Sequence, residues 1–271
     1  MKREKNPRRI AVALTIAGSD SGGGAGLQAD LKTFAALGVH GTTVVTAVTA
    51  QNPRRVMAVQ PCSPLLVRKQ LAAIFAELPP TAVKTGMLYS AANIGIVADF
   101  LRSRRVPLIV DPVMISTSGA PLLDPDAIRI LGDRLLPLAM LITPNLGEAA
   151  ALLGTRLRSV EDLRKAAKAL HRLYDVAVLV KGGHLRGVHQ AVDIFYDGKE
   201  ELLLSASFVR GIKTHGTGCT YSAAITGYLA KGFSLKTSVA KAKEFVTQAI
   251  AHCRVAGRHD VLNCFWAGAR S

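Results

Sequence analysis

The chain alternates short aliphatic or β-branched runs with longer stretches in which apolar residues recur every three or four positions. The runs predict strands at Ile10–Ala17, Thr42–Ala50, Ala82–Thr85, Leu108–Asp111, Met140–Thr143 and Val176–Lys181. The periodic stretches predict helices at Gly26–Leu37, Pro64–Leu78, Ala91–Arg104, Pro125–Leu135, Asn145–Leu153, Val160–Leu173, Thr217–Lys231 and Leu235–Cys253. Val192–Leu204 reads as a hairpin about Asp197-Gly198, a common tight-turn pair. Strands that are apolar throughout and alternate with helices predict an α/β fold, a mainly parallel sheet covered on both faces. No repeat or low-complexity linker interrupts the pattern. One domain is expected over residues 10–254, after a basic tail of residues 1–9 and before a C-terminal tail of residues 255–271.

Sheets of this kind bind ligands at the carboxyl ends of their strands. The segments with unusual chemistry fall there: GSDSGGGAG after the first strand, TAQN after the second and TGM after the third, then DPVM, TPNLGE and KGGH. Turn chemistry accounts for any one of these loops, but not for six of them at strand ends. Several motifs are excluded. Gly24 to Ala29 fits GxGxxA, the dinucleotide fingerprint, yet no acidic residue ends the second strand to hold a ribose. A Walker loop and the GxSxG hydrolase elbow are absent, and the parallel α/β pattern argues against reading Ser19 to Gly23 as a protease loop.

Composition narrows the class. With 49% hydrophobic residues and 5% aromatics, the core is built mainly of Ala, Leu, Val and Ile. The apolar runs fall short of the ~20 residues a membrane span needs. The apolar run after the basic start is strand-length and ends in a Gly/Ser/Asp loop, so it reads as a buried strand and the chain as cytoplasmic. Four widely spaced cysteines, with no CxxC, fit neither a disulfide scaffold nor a paired zinc site. The net charge of +15 is spread over small groups with no aromatic residues interleaved, so it reads as solvated surface rather than a nucleic-acid platform. A positive field also attracts anionic nucleotides.

The clearest chemistry is in His215-Gly216-Thr217-Gly218-Cys219-Thr220, at the entrance of an Ala-rich helix. A helix N-terminus presents unpaired N–H groups and a positive dipole end to an anion, and Gly216 and Gly218 let the backbone approach it. Phosphoryl transfer asks mainly for such positioning and charge stabilisation.

This GTGC turn resembles the ribokinase superfamily signature, with Cys219 where sugar kinases carry a catalytic Asp. Together with LTIAGSDSGGGAGLQADLKTF, TAVTAQN, DPVM, LITPNLGEA, VLVKGGH and HGTGCTYSAAI, from about Leu14 to Ala251, it resembles the hydroxymethylpyrimidine/phosphomethylpyrimidine kinases of thiamine synthesis. The resemblance implies a ribokinase-like three-layer sandwich, usually dimeric, using ATP and Mg²⁺ to phosphorylate an aminopyrimidine alcohol and then its phosphate. It implies that Gly216, Thr217, Gly218, Cys219 and Lys181 carry the transfer. Gln51, Asp30, Ala25, Met87 and Val113 would line the substrate pocket, and Asp111, Asn145, Glu148 and Lys181 would serve the nucleotide phosphates. Mg²⁺ would be held by Asp111 and Glu148, through water where needed.

The Gln51 amide offers a donor beside an acceptor, which matches an exocyclic amine next to a ring nitrogen. A helix-entrance position predicts a lowered pKa for Cys219, so that it shares in deprotonating the alcohol. A neutral thiol there also spares an acceptor phosphate the repulsion of a carboxylate. Pyridoxine or pyridoxal kinases share the scaffold and the cysteine and are the nearest alternative. A non-catalytic nucleic-acid binder is the distant one. The segment after Gly257 departs from the family pattern.

Overall fold

In the computed structural model, residues 9–114, 123, 125–183, 185, 189–209, 211–212 and 215–267 are described. His184 of the KGGH motif, residues 1–8 of the basic tail and the last four residues lie outside them.

The elements run β1 (Val12–Asp20), α1 (Gly26–Ala36), β2 (His40–Asn52), β3 (Arg55–Pro61), α2 (Pro64–Glu77), β4 (Ala82–Thr85), α3 (Ala91–Arg102) and β5 (Leu108–Val110). Then come α4 (Pro125–Ile130), β6 (Leu141–Ile142), α5 (Leu146–Leu153), α6 (Val160–Tyr174) and β7 (Ala177–Lys181). The chain continues with β8 (Gln190–Tyr196), β9 (Glu201–Ser207), α7 (Thr217–Ala230), α8 (Leu235–Ala251), β10 (Arg254–Ala256) and β11 (His259–Val261). Beyond Ile130 the predicted α-helix becomes a π-helical turn (Leu131–Leu135) and then a 3-10 turn that contains Pro137. Proline has no N–H to continue the regular ladder.

Nine strands form one sheet in the order β3-β2-β1-β4-β5-β6-β7-β8-β9. The six central strands, β2 to β7 across the sheet, are parallel, and the edges at β3, β8 and β9 are antiparallel. Side chains alternate across the pleat: Leu14, Val110, Ile142 and Val178 face one core, with Ile94, Leu135 and Leu163. Ala13, Ile109, Leu141 and Leu179 face the other, with Phe34, Ile225 and Val246. This is the predicted layering, with one helix set on each face.

From Thr220 on α7 is buried on nearly every side, ten of its fourteen residues lying in the interior, while Thr217, Gly218 and Cys219 at its N-terminus are half-buried. Chain order reverses at β1, which lies between β2 and β4. A crevice at the carboxyl ends of the strands is expected at such a switch point.

Two elements differ from expectation. β3 was not predicted because it has no buried face: all its residues are at least partly exposed, so no alternation marks it. The C-terminal segment folds as the β10–β11 hairpin and a turn whose Asn263 N–H donates to the Ala249 carbonyl at 3.2 Å. The expected boundary at residue 255 cuts through β10. Cys264 is buried there, with its Sγ 3.8 Å from Thr33 Oγ1. Among the described residues no helix is long and apolar enough to cross a membrane.

Candidate active site

A cavity of about 820 Å³ opens at the strand ends, lined from Asp20, Gln51 and Met87, past Cys219 and Lys181, to Val246 and Ile250. Two register shifts shape its first end: β2 has an extra residue opposite Ala17–Ser19 of β1, and β3 has one opposite Ala50/Gln51 of β2. Such bulges change the local direction of the paired strands, here next to Gln51 and the Ser19–Asp20 turn.

Asp20 ties the glycine-rich loop down. Its carboxylate accepts the N–H groups of Gly22 (2.8 Å), Gly24 (3.0 Å) and Ala25 (2.8 Å), and His215 Nε2 lies 3.4 Å away. Burial pushes this carboxyl up, but His215 and the Ala25 and Gly22 amides outweigh it and hold the pKa below the ordinary range. The loop meets the phosphate turn directly. Gly216 has φ +83°, and a Cβ there would stand 1.7 Å from the Gly24 carbonyl oxygen, so only glycine fits.

Hydrogen bonding continues past the short central strands, Asp111 N–H to the Thr85 carbonyl, Thr143 N–H to Val110 and Lys181 N–H to Pro144. This brings Asp111, Asn145 and Lys181 side by side. Lys181 Nζ pairs with Asp111 Oδ1 at 2.8 Å, and Asp111 also accepts from Thr143 (3.2 Å) and Ser222 of α7 (3.1 Å). The Lys181 ammonium sits against Gly218, where a Cβ would be 3.1 Å away. Burial opposes its charge, but Asp111 and Glu148 raise its pKa above the ordinary value.

Asn145 and Glu148 form a reciprocal capping box at the start of α5: Asn145 Oδ1 accepts Glu148 N–H at 3.0 Å, and Glu148 Oε2 accepts Asn145 N–H at 2.8 Å. Glu148 is buried, and burial pushes its carboxyl from 4.5 to about 7; Lys181 opposes the shift and Asp111 adds to it.

That shift has a sign. The fold holds the Glu148 proton more tightly than the unfolded chain does, so the stability it contributes is fully present below about pH 4.5. It is lost as pH rises through about 7. Glu148→Gln removes the penalty of ionising the buried acid. Its stability relative to the parent protein should increase from acid to neutral pH by about 2–3 kcal/mol. Urea midpoints measured across that range would check this, and parallel curves would refute it.

Behind Cys219 lies a pair that the sequence reading did not identify. Lys84 Nζ and Asp30 Oδ1 are 2.8 Å apart, both fully buried, and Thr15 Oγ1 donates to Asp30 Oδ2 at 2.6 Å. Burial pushes the Asp30 carboxyl up against the pull of Lys84. Burial opposes the charge on Lys84, yet Asp30, Cys219 and Asp111 raise its pKa. Asp30 is therefore not a wall of the cavity, as its place in the pocket set predicted; Lys84 stands between it and the ligand space. The polar wall at that end is supplied by Asp20, Thr49 and Lys84 instead.

Cys219 is also corrected. Its thiol is pushed up to about 11, by desolvation first and by Asp30 and Asp111 next, against Lys84 and the Gly26 N–H. The helix entrance does not overcome burial, and the sulfur is a neutral thiol at physiological pH. The other predicted site residues, Ala25, Gln51, Met87, Asp111, Val113, Asn145, Glu148, Lys181 and Gly216 to Gly218, all line the one cavity.

At its far end the cavity is apolar, between Phe208, Val209 and Ile212 on one side and Val246 and Ile250 of α8 on the other. Lys243 of α8 pairs there with Asp193 of β8 at 2.7 Å, and Asp193 accepts the Gly182 N–H at 2.9 Å. Through that bond the hairpin edge fixes the loop that follows Lys181.

The chain is similar to known proteins over most of its length. The model of the family described as phosphomethylpyrimidine kinase matches residues 20–262. A hydroxymethylpyrimidine/phosphomethylpyrimidine kinase of Rhizobium meliloti (strain 1021) is 50% identical over 242 residues, 89% of this chain and 91% of that protein. The structure of a phosphomethylpyrimidine kinase from Clostridium difficile 630 aligns with TM-score 0.79 at 43% identity, over 89% of this chain and all of that one. An ADP complex of Bacillus subtilis pyridoxal kinase aligns with TM-score 0.89 at 38% identity, over 97% of this chain and all of that one. The family match over residues 20–262, with relatives of this identity and coverage, places this chain in the phosphomethylpyrimidine kinase family.

Proposed function

We propose that the chain uses ATP to phosphorylate the hydroxymethyl group of 4-amino-5-hydroxymethyl-2-methylpyrimidine, and then phosphorylates the resulting monophosphate. The observation that carries this reading is the single continuous cavity. One end offers the Gln51 amide with Met87 and Val113 beside it, the middle offers the GTGC turn and Lys181, and the far end offers an apolar slot against α8.

The roles follow from the chemistry. Gln51 meets the amine and ring nitrogen, and Met87 and Val113 cover the ring. The nucleotide base occupies the α8 slot, with its phosphates between Lys181, Asn145 and the α7 entrance. The N–H groups of residues 217–219 and the Lys181 ammonium balance charge on the transferring group. Cys219, being neutral, keeps negative charge away from the acceptor oxygen.

Mg²⁺ belongs to the proposal. Asp111 already accepts three hydrogen bonds, and no group of three or more His, Cys, Asp or Glu side chains suited to a metal occurs among the described residues. The donor set fits an ion that brings its own phosphates and waters, with Glu148 and Asp111 completing its shell. When bound, the ion supplies charge neutralisation across the phosphates. The implied homodimer is supported by Val48, Met57, Leu65 and Leu66, apolar residues exposed on β2, β3 and the start of α2. Light scattering on the purified protein tests it.

The pyridoxal kinase likeness favours a second reading, a pyridine alcohol as acceptor in the same cavity. Product analysis with ATP and Mg²⁺ separates the two. The expected result is the pyrimidine monophosphate followed by its diphosphate. Arrest at the monophosphate refutes the second step, and turnover of pyridoxal without the pyrimidine favours the alternative.

A further inference from the structure

The end of the cavity at Gln51 carries a hydrogen-bond chain whose direction is set from outside it. Gln51 is pinned by its backbone, where Ser21 Oγ accepts its N–H and donates to its carbonyl, both at 2.8 Å. Only the side-chain amide is left to turn. As placed, the amide nitrogen lies 3.0 Å from His215 Nε2 and the amide oxygen 3.4 Å from Thr49 Oγ1. A half-turn exchanges the two ends without moving any other atom, so the partners decide which is oxygen and which is nitrogen.

Both partners are decided by acceptors that cannot donate. The Thr49 hydroxyl has one proton, and the Ser19 carbonyl takes it at 2.9 Å. Thr49 Oγ1 is left as an acceptor toward Gln51. On the other side, His215 Nε2 faces Asp20 Oδ2 at 3.4 Å. That carboxylate already accepts three backbone N–H groups and is ionised, so a lone pair on Nε2 would face its negative charge; Nε2 therefore carries its one proton and shares it between Asp20 Oδ2 and the closer Gln51 amide at 3.0 Å. With Nε2 a donor and Thr49 Oγ1 an acceptor, the half-turned orientation satisfies both, with the amide oxygen toward His215 and the NH₂ toward Thr49.

We infer that His215, backed by Asp20, is a positioning residue that fixes the polarity of the Gln51 amide and so selects both the class of the ring and its direction in the cavity. The inference rests on the aminopyrimidine reading above. The free lone pair of the oxygen lies on the His215 side, and the free N–H lies on the Thr49 side. An amino group therefore docks beside His215, with the adjacent ring nitrogen toward Thr49. In a 4-amino-5-hydroxymethylpyrimidine the hydroxymethyl carbon lies on the far side of the amine from that nitrogen. The same polarity thus turns the reacting arm toward His215 and the Gly216–Cys219 turn that follows it. The opposite polarity would accept a 4-oxo ring with a protonated ring nitrogen, or would turn the arm away.

The test compares kcat/KM for the 4-amino substrate and its 4-oxo counterpart. The parent protein should prefer the amine by at least about 10²-fold, because a mismatched polar edge leaves buried groups unpaired. His215→Phe, which keeps a ring but loses the donor, should lower that preference at least tenfold, while His215→Gln, which can present an N–H at the same reach, should keep most of it. An unchanged ratio in a folded His215→Phe protein overturns the inference. ¹⁵N–¹H spectra of histidine-labelled parent protein give an independent readout that needs no variant. A proton on His215 Nε2 is expected, and an unprotonated Nε2 overturns the proposal. A parent protein that phosphorylates neither pyrimidine refutes the functional reading, and the nitrogen spectrum still decides the assignment of His215.

Discussion

Lys84→Met is expected to destabilise the fold by about 3–5 kcal/mol, because it removes one partner of a fully buried pair and leaves the Asp30 carboxylate uncompensated. In a domain of this size such a loss lowers the melting temperature by roughly 10 °C. Desolvation is the larger part of the cost, not the lost attraction. The Thr15 hydroxyl, the other group bonded to Asp30, cannot neutralise a charge. The double variant Lys84→Met/Asp30→Leu should therefore recover most of the stability, since it replaces the pair by apolar side chains. Calorimetry on the single and double variants checks this. A single-variant loss under about 1 kcal/mol would mean that Asp30 already takes up a proton in the parent protein. Activity should stay impaired in the double variant, because Lys84 also places positive charge beside Cys219.

This pair also marks where sequence reading stopped. The layered sheet was legible because β1, β5 and β7 carry apolar residues on both sides of the pleat, which only a doubly covered sheet requires. The turn at Gly216–Cys219, Lys181 and the Asn145/Glu148 pair were legible because each lies in a short local pattern at a strand end or helix start. Lys84 and Asp30 are 54 positions apart, and Asp20 meets His215 across nearly 200 residues, so no local periodicity records either contact. One signal was available: Lys84 interrupts a short strand that is otherwise uncharged, and a lysine in such a place needs a buried partner. The resemblance puts Asp30 in the substrate pocket, whereas its helix turns that side chain inward behind Lys84. The Cys219 pKa departs from expectation for a related reason. The helix entrance is visible in sequence, but the depth of α7 that desolvates it is a property of packing.

A neutral Cys219 leads to the second large effect. Cys219→Asp should leave phosphorylation of the free hydroxymethyl group measurable and reduce phosphorylation of the monophosphate by a further factor of about 10²–10³. At a separation of about 5 Å and an effective dielectric of about 20, each unit of like charge costs roughly 3 kcal/mol. A phosphate monoester carries between one and two such charges near neutral pH, and an alcohol carries none. The carboxylates of Asp30 and Asp111 already stand close enough to push the thiol pKa up, so a third carboxylate there adds to a negative field that Lys84 only partly offsets. The measurement is the ratio of kcat/KM for the two steps, assayed separately with alcohol and monophosphate as starting acceptors. Cys219→Ser, neutral and close in size, should keep that ratio within a few-fold of the parent value even where both rates fall. If Cys219→Asp lowers both steps equally, Cys219 acts by moving a proton or by packing. If Cys219→Ser shifts the ratio as strongly as Cys219→Asp, sulfur chemistry and not charge sets the second step.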